Sequence, residues 1–280
     1  MFAESHVTVS ADPDVRLFVA RSDGPPGRTL LVIHGGPDWD HSYLREPLAR
    51  LAGRHCLVLP DLRGCGRSTR GLPDDAYSPA AATADLVALL GTLGTEPVDV
   101  LGFSYGGLLA QRLILAAPER VRRLVVASSS VLPVPPDAYG DLPERAAEAA
   151  VWADPSLSGP ALTRAAAVAG ARANVRRAEA LPHYLRLLDG VRFSAEWLRP
   201  LRAGTLPSPR VPDAAARLAA LGVPLLLLHG RQDLVFPASL VEETVRLIPS
   251  ARGVVLEEAG HMAHIDQPDA WLAAVADHLA

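Results

Sequence analysis

Lysine is missing from this sequence, so all 27 of its basic residues are arginine. Without lysine the chain has no Schiff-base nucleophile, no lysine general base and no phosphate-binding loop that ends in Gly-Lys. Cysteine is scarce, and Cys56 and Cys65 are too few for a disulfide framework or a structural zinc site. We therefore expect no metal and no cofactor, and a reducing cytoplasm as the location.

Signals for membranes and nucleic acids are also lacking. No apolar run approaches the length of a membrane span, and the first residues lack the basic and apolar segments of a signal peptide. The formal net charge of −4 offers nothing that would attract nucleic acid. The 280 residues, 49% of them hydrophobic, are sufficient for one large core with a small subdomain. We expect a small-molecule substrate as the partner, and the sequence does not indicate an oligomeric state.

Short apolar runs alternate with segments of helical periodicity along most of the chain. Two loosely alternating segments, residues 6–10 and 15–21, predict an N-terminal hairpin. Continuous apolar runs predict buried strands at residues 29–33, 56–59, 98–101, 124–128, 223–228 and 254–256. Strands that alternate with helices indicate an α/β fold, with a mostly parallel eight-stranded sheet flanked by helices.

The composition changes between residues 129 and 212, where Pro, Ala and Arg are abundant and no buried-strand run occurs. We therefore predict a core of residues 1–128 and 213–280, with residues 129–212 inserted after the sixth strand as a helical lid. In open α/β sheets, ligands bind beyond the carboxyl ends of the strands. The lid is expected to cover that edge.

The sequence Gly102-Phe103-Ser104-Tyr105-Gly106 lies between a predicted strand and a predicted helix. A serine on such a sharp turn is held in strained backbone geometry with its hydroxyl presented above the sheet edge, and the two glycines remove clashes across the turn. The pattern alone is weak, because small residues are common in turns. Its position between a strand and a helix indicates a nucleophile.

A serine nucleophile needs a base, a carboxylate to orient that base, and donors for an oxyanion. His261 follows the last strand by a short turn, and Asp233 follows the strand before it, so both are expected at the edge of the sheet near Ser104. The order Ser…Asp…His along the chain is the order expected when the serine nucleophile lies on a strand-to-helix turn of an α/β sheet. The oxyanion donors are predicted to be the N–H groups of Tyr105 and Gly36.

Several other polar residues near these motifs are interpreted as structural. His34 is expected to make hydrogen bonds within its loop, and His264 to pack or to begin a helix. Asp266 is expected to cap the last helix. The glycine-rich loop of residues 61–68 is interpreted as a tight turn with an unreactive Cys65, because no Gly-Lys helix start follows it.

Five motifs together resemble the α/β-hydrolase superfamily: His34-Gly35-Gly36-Pro37, Arg63-Gly64-Cys65-Gly66-Arg67-Ser68, Gly102-Phe103-Ser104-Tyr105-Gly106-Gly107, Gly230-Arg231-Gln232-Asp233 and Gly260-His261. Within it they resemble the prolyl-aminopeptidase-like (proline iminopeptidase) branch, whose hallmark is His-Gly-Gly-Pro-Gly. The resemblance spans the chain except the lid. It implies a triad of Ser104, Asp233 and His261, with oxyanion donors at Gly36 and Tyr105.

Two departures from that branch concern the substrate. Asp38 replaces the last glycine of the hallmark, and Leu234 follows Asp233 where the peptidases often carry an acidic residue for the substrate's amino group. Four lid carboxylates are candidates to replace that acid: Glu144, Glu148, Glu179 and Glu196. Substrate contacts are predicted at Asp38, Trp39, Trp152, Tyr184 and Trp197, and Phe193 is a further candidate for an apolar wall.

The sequence therefore predicts a cofactor-free serine hydrolase that cleaves a small-molecule ester, lactone or amide through an acyl-enzyme on Ser104. Three alternatives stay open at this stage. They are a prolyl aminopeptidase, a non-hydrolytic enzyme of the same fold (a lyase, cyclase or acyltransferase), and a binding protein that retains the triad. Fold alone does not decide among them.

Overall fold

The computed structural model describes residues 1–94, 96–139 and 142–280 of the chain. Within these residues, eight strands form one sheet in the order β1-β2-β4-β3-β5-β6-β7-β8. The strands are β1 Phe2–Ala11, β2 Asp14–Ser22, β3 Thr29–Ile33, β4 Cys56–Pro60, β5 Val98–Phe103, β6 Val121–Ala127, β7 Leu225–Gly230 and β8 Ala251–Leu256. β2 pairs antiparallel with β1 and β4, and all other pairs are parallel. The predicted fold and hairpin are confirmed.

Helices connect the strands and cover both faces of the sheet. The α-helices are α1 Arg45–Leu48, α2 Pro79–Thr92, α3 Tyr105–Ala116, α4 Ala146–Ala153, α5 Gly159–Ala169, α6 Ala171–Asn174, α7 Leu181–Gly190, α8 Leu198–Arg202, α9 Ala214–Leu221, α10 Ser239–Leu247, α11 Ala263–Asp266 and α12 Pro268–Leu279. Short 3-10 helices occur at Ser42–Leu44, Ala49–Leu51, Asp74–Ala76, Pro118–Arg120, Pro143–Arg145 and Ala178–Ala180. None of the helices in the described ranges combines the length and apolarity that crossing a membrane requires.

Residues 42–51 carry apolar residues at a helical spacing but do not form one continuous helix. They form short turns, and Glu46 has extended backbone (φ −99°, ψ 132°). The ring of a following proline disfavours helical geometry in the residue before it, and Pro47 follows Glu46. The apolar spacing of Leu44 and Leu48 therefore reflects burial on successive turns, not one continuous helix.

The core lies in two layers on either side of the sheet. Along β5, Val98 and Val100 point to the layer that contains α2 and α3, whereas Leu101 and Phe103 point to the layer that contains α12. This alternation follows from the two-residue period of a strand. Because both layers are apolar, the strands are apolar throughout, as expected for a parallel sheet covered on both faces.

The glycine-rich loop after β4 is held by a buried ion pair. Arg63 donates from Nε and Nη2 to the two carboxylate oxygens of Asp85 on α2, at 2.6 Å each. Such a two-bond pair fixes direction as well as distance. Cys65 lies buried in the same loop, and burial raises the pKa of its thiol, which favours the unreactive neutral form.

Between β6 and β7, the described residues of the lid (residues 129–212) contain helices α4–α8 and no strand. These helices follow the carboxyl end of β6, on the side where the loops after β3, β5, β7 and β8 also emerge. The chain therefore brings the lid over the edge of the sheet that carries Ser104.

His264 fills the space between the sheet and the terminal helix. Its ring packs against Phe103 and Trp271, with ring centroids 4.9 Å and 5.8 Å away. Burial, together with the charge of nearby His261, lowers the pKa of His264 to about 3. The neutral ring is thus a packing group, as the sequence predicts.

We expect this buried histidine to make the protein less stable in acid. In the unfolded chain His264 binds a proton near its ordinary pKa of about 6.5, whereas the folded chain does not until about pH 3. The free energy of unfolding should therefore fall from pH 6.5 downwards, by at most about 1.4 kcal/mol per pH unit for this group. Urea unfolding of His264→Leu should show a shallower fall over that range. Parallel curves for the two proteins would contradict the assignment.

Candidate active site

Ser104 occupies the turn between β5 and α3 in a left-handed backbone conformation (φ 53°, ψ −122°). Residues other than glycine adopt such angles only when the surrounding structure enforces them. Here the turn is closed by two glycines. A Cβ on Gly102 would overlap the Gly106 carbonyl oxygen, and a Cβ on Gly106 would overlap the Ile33 carbonyl oxygen at the end of β3. The sequence pattern thus reflects close backbone packing around the serine.

Three side chains from three neighbouring loops form one line of hydrogen bonds. His261, after β8, places Nε2 3.0 Å from the Ser104 Oγ. The other ring nitrogen, Nδ1, lies 3.0 Å from Oδ2 of Asp233, which follows β7. All three residues are buried, with Ser104 the most accessible at 9%. The structure therefore brings together the serine, histidine and aspartate that the sequence singles out.

Asp233 is a buried carboxylate that retains its charge. Burial raises its pKa, but the charge of His261 and hydrogen bonds from His229 and His261 outweigh burial and hold the pKa well below its usual range. Oδ1 also accepts from the backbone N–H groups of Val235 and Phe236, at 2.7 Å and 3.0 Å. The carboxylate therefore remains ionised at neutral pH.

His229 is part of this arrangement and was not singled out from the sequence. Its Nε2 lies 2.8 Å from the Phe236 carbonyl oxygen and 3.2 Å from Oδ2 of Asp233. A carbonyl oxygen accepts only from an N–H, so Nε2 carries the proton and faces the carboxylate. In the sequence, only its position at the end of β7, four residues before Asp233, indicates that His229 lies near the site.

Two backbone N–H groups lie beside the serine. Tyr105 is the first residue of α3, and Gly36 follows β3 with a positive φ of 112°. In the described ranges, neither N–H donates to a protein oxygen. Nearby, His34 is confirmed as a structural residue, because its Nε2 lies 3.0 Å from the Leu62 backbone nitrogen.

Ser104 and His261 open into a cavity of about 160 Å³ beneath the lid. Five of the wall residues are apolar or aromatic, and the lid adds three polar side chains. The wall consists of Gly36, Trp39, Tyr43, Phe103, Ser104, Arg145, Glu148, Asn174, Val235, His261 and Met262. Larger clefts at the surface, such as the one between α2 and α3, do not include Ser104 or His261.

Of the aromatic residues predicted to contact substrate, Trp39 lies in the cavity wall, where its ring packs edge-on against Tyr43 at 5.2 Å. The others lie outside the wall. Trp197 is buried and donates from Nε1 to the Arg63 carbonyl oxygen at 2.8 Å. Tyr184 is buried in the apolar layer shared with α12, and Trp152 is 37% exposed at the surface.

Asp38 also lies outside the cavity wall and instead fastens the lid to the loop after β3. Its carboxylate accepts hydrogen bonds from Ser194 Oγ at 2.8 Å and from the backbone N–H groups of Trp197 and Leu198 at 3.1 Å and 2.9 Å. The backbone of Asp38 is left-handed (φ 70°), which explains why a glycine suits this position.

A second attachment joins the lid to the His261 loop. The carboxylate of Asp266 accepts from the backbone N–H groups of Gly260, Arg176 and Arg177, at 2.8–2.9 Å. The expectation that Asp266 caps the last helix was wrong, because α12 has no side-chain cap at its N-terminus. The carboxylate instead binds segments on both sides of the site.

The lid directs one charged pair into the cavity. Arg145 and Glu148 both line it, with Arg145 Nη2 2.6 Å from Glu148 Oε2. Of the four lid carboxylates considered from the sequence, Glu148 is the one in the wall. Glu196 instead accepts from the Tyr77 hydroxyl at 2.6 Å, and Glu144 and Glu179 lie elsewhere on the lid. Arg145 and Asn174 were missed, since helical periodicity does not indicate which residues face a cavity.

Comparisons with known proteins agree with this architecture. A family model for the alpha/beta hydrolase fold matches residues 28–268. A proline iminopeptidase from Levilactobacillus brevis is 32% identical, over 91% of this chain and 89% of that protein. A 2-hydroxymuconate semialdehyde hydrolase from Pseudomonas putida is 29% identical, over 92% and 89%. A proline iminopeptidase-related protein from Thermus thermophilus has a similar structure (TM-score 0.74, 26% identity, 100% of this chain and 97% of that chain).

The contribution of Asp38 to holding the lid can be measured as a change in the free energy of unfolding. Asp38→Gly relieves a left-handed residue, worth roughly 1–2 kcal/mol, but removes three hydrogen bonds to a carboxylate, each worth about 1.5–3 kcal/mol. We expect a net loss of about 2 kcal/mol or more in the free energy of unfolding, measured with urea.

Asp213→Gly is the matched control, because Asp213 is also left-handed (φ 52°) but exposed and makes no capping hydrogen bond. That variant should be neutral or slightly more stable. Equal effects at the two positions would show that Asp38 does not hold the lid.

Proposed function

The chain belongs to the α/β-hydrolase fold family, and on that basis we propose that it is a serine hydrolase that cleaves a small-molecule ester, lactone or amide through an acyl-enzyme on Ser104. One observation carries the proposal. The hydroxyl, imidazole and carboxylate of Ser104, His261 and Asp233 are joined by two 3.0 Å contacts at the wall of a small cavity. The hydrolases named among the relatives support the reaction class.

The order of the hydrogen bonds assigns the proton positions. Because Asp233 is ionised, it accepts from Nδ1–H of His261, which leaves Nε2 as a free base that faces Ser104. When the Ser104 oxygen attacks the carbonyl carbon, Nε2 takes the hydroxyl proton, and the Asp233 carboxylate stabilises the imidazolium. The base is thus prepared before substrate arrives.

The attack places a negative charge on the former carbonyl oxygen. The N–H groups of Gly36 and Tyr105 are the donors for that oxyanion, and the N-terminal end of α3 adds a favourable dipole. His261 then gives its proton to the leaving group, and an acyl-enzyme remains on Ser104. Water, activated by His261 in the same way, releases the acid and restores the serine.

A prolyl aminopeptidase is the second candidate, favoured by the Levilactobacillus brevis relative and by Glu148 in the cavity wall. That activity requires an acid free to hold the substrate's ammonium group, and Arg145 already neutralises Glu148 at 2.6 Å. Proline amides with free and blocked amino groups separate the two functions. Turnover limited to the free amines would establish the peptidase.

Replacement of the nucleophile is the direct test of the proposal. Ser104→Ala removes the attacking oxygen and leaves the buried histidine and aspartate in place, so turnover of an activated ester should fall by roughly 10³-fold or more with unchanged thermal unfolding. A fluorophosphonate probe should label the unmodified protein and not the variant. Near-full activity of the variant would refute the acyl-enzyme.

The role of Asp233 as a charge rather than a spacer can be tested with Asp233→Asn. The amide retains the shape but reverses the hydrogen bond to Nδ1, so His261 adopts the wrong tautomer and kcat should fall by about 10⁴-fold. Asp61→Asn is a matched control, since Asp61 forms another buried pair with His41 Nδ1 at 2.6 Å outside the cavity wall. Equal losses of kcat in the two variants would indicate a structural effect.

A further inference from the structure

The Arg145–Glu148 pair is the one charged lid feature in the described cavity wall, and the chemistry at Ser104 does not use it. Both side chains are partly accessible, at 24% and 18%, so a bound molecule can reach them. Arg145 also donates from Nη1 to Asn174 Oδ1 at 3.3 Å. A charged pair in the same cavity wall as the nucleophile is costly for a site that receives only apolar substrates.

We propose that Arg145 binds a carboxylate group of the substrate, so that the preferred substrates are anionic esters, lactones or amides whose acyl part ends in a carboxylate. The inference rests on the proposed function of Ser104 and specifies its substrate class. Glu148 and Asn174 act as positioning residues for the guanidinium.

The hydrogen-bonding capacity of the pair favours an anion over a cation. A guanidinium has five N–H donors, and in the described chain Arg145 uses two of its nitrogens, toward Glu148 and Asn174. Both oxygens of Glu148 are engaged instead, Oε2 by Arg145 and Oε1 by Trp152 Nε1 at 3.3 Å. The carboxylate keeps about two of its four acceptor positions, and the guanidinium keeps about three of its five N–H donors. The larger spare capacity lies on the arginine, and an acceptor-rich group such as a carboxylate matches it.

Packing around Glu148 also favours an anionic substrate over a cationic one. Its Oε2 lies against the end of α5, where a Cβ on Gly170 would be 2.7 Å away. The carboxylate is therefore held against the lid backbone, and the 2.6 Å contact keeps Arg145 beside it. An arriving ammonium group would have to share the carboxylate with Arg145 and Trp152, whereas an arriving carboxylate can accept from the unused N–H groups of Arg145.

The position of Arg145 relative to the nucleophile is set by the chain around His261. The backbone carbonyl of Asn174, whose side chain holds Arg145, accepts from the Met262 N–H at 2.8 Å. Met262 directly follows His261, so a single residue links the guanidinium to the catalytic loop. An acyl group held at one end by Arg145 would thus present its carbonyl carbon at a fixed distance from Ser104.

The apolar and aromatic part of the wall strengthens the attraction between Arg145 and a substrate carboxylate. Trp39, Tyr43, Phe103, Val235 and Met262 give part of the wall an apolar or aromatic surface. Between opposite charges in such surroundings, attraction is stronger than in bulk water. The cavity of about 160 Å³ admits a short acyl chain, so the carboxylate and the scissile carbonyl belong to one small molecule.

Matched esters test the proposal with the intact protein. Each pair differs only by a terminal methyl or carboxylate: ethyl butyrate with monoethyl succinate, ethyl pentanoate with monoethyl glutarate, and ethyl hexanoate with monoethyl adipate. We expect kcat/KM to favour the carboxylate by about tenfold or more for at least one length. Cleavage of the neutral esters without any preference would overturn the inference and leave the serine hydrolase proposal standing. Failure to cleave any ester, together with no fluorophosphonate labelling, would instead overturn the proposed function.

The arginine is then replaced. Arg145→Gln should lose about ten- to a hundredfold in kcat/KM on the favoured carboxylate ester and stay within about threefold on its neutral partner. Retained turnover of the neutral ester also shows that the variant folds. Arg164→Gln is the matched control, because Arg164 is a lid arginine paired with Asp189 at 2.7 Å outside the cavity wall. Equal losses in the two variants would refute a specific role for Arg145.

Replacement of Glu148 distinguishes a site that binds an anionic substrate from a site that binds a cationic one. With ethyl 4-aminobutyrate as the cationic ester, Glu148→Gln should leave the preference for the carboxylate ester in place, because the amide oxygen of glutamine can still accept from Arg145 and position it. If wild-type protein favours the cationic ester and Glu148→Gln abolishes that preference, Glu148 is the anchor and the inference fails.

A measurement independent of variants is protection, in which free glutarate or succinate should slow fluorophosphonate labelling of Ser104 more than butyrate does.

Discussion

The left-handed backbone of Ser104 is the constraint on which the site depends. The strain is sustained because β5 and α3 fix the chain on both sides, and because Gly102 and Gly106 allow the backbones to meet. With the turn as it is, the hydroxyl lies 3.0 Å from Nε2 of His261, in the loop after β8, and α3 begins at the next residue.

The second requirement is an ionised carboxylate in a buried place. Asp233 meets it by collecting donors from every side: two backbone N–H groups, the ring of His261 and the N–H of His229. These contacts outweigh the cost of burial, which is why its pKa lies low. The same contacts hold the loop after β7 rigid, so electrostatics and geometry have a common source.

The lid is joined to the site at two points, and both involve buried carboxylates. Asp38 binds lid backbone from the loop that also carries Gly36, and Asp266 binds lid backbone from the end of α11, which follows the His261 loop. The cavity is thus bounded by segments that are fastened to the oxyanion side and to the base side. This arrangement gives Arg145 a definite position, on which the proposed substrate preference depends.

The amino-acid sequence by itself determined the architecture and the position of Ser104, Asp233 and His261 at one edge. Apolar runs of strand length specify parallel strands, and residues directly after such strands must emerge together. Only the tertiary structure decided the remainder. The contribution of His229, the turn of Asp38 toward the lid and the presence of Arg145 in the cavity depend on how segments distant in sequence pack. Side-chain direction on a lid helix is set by that packing and not by periodicity, because a helix shows an apolar face without showing what it meets.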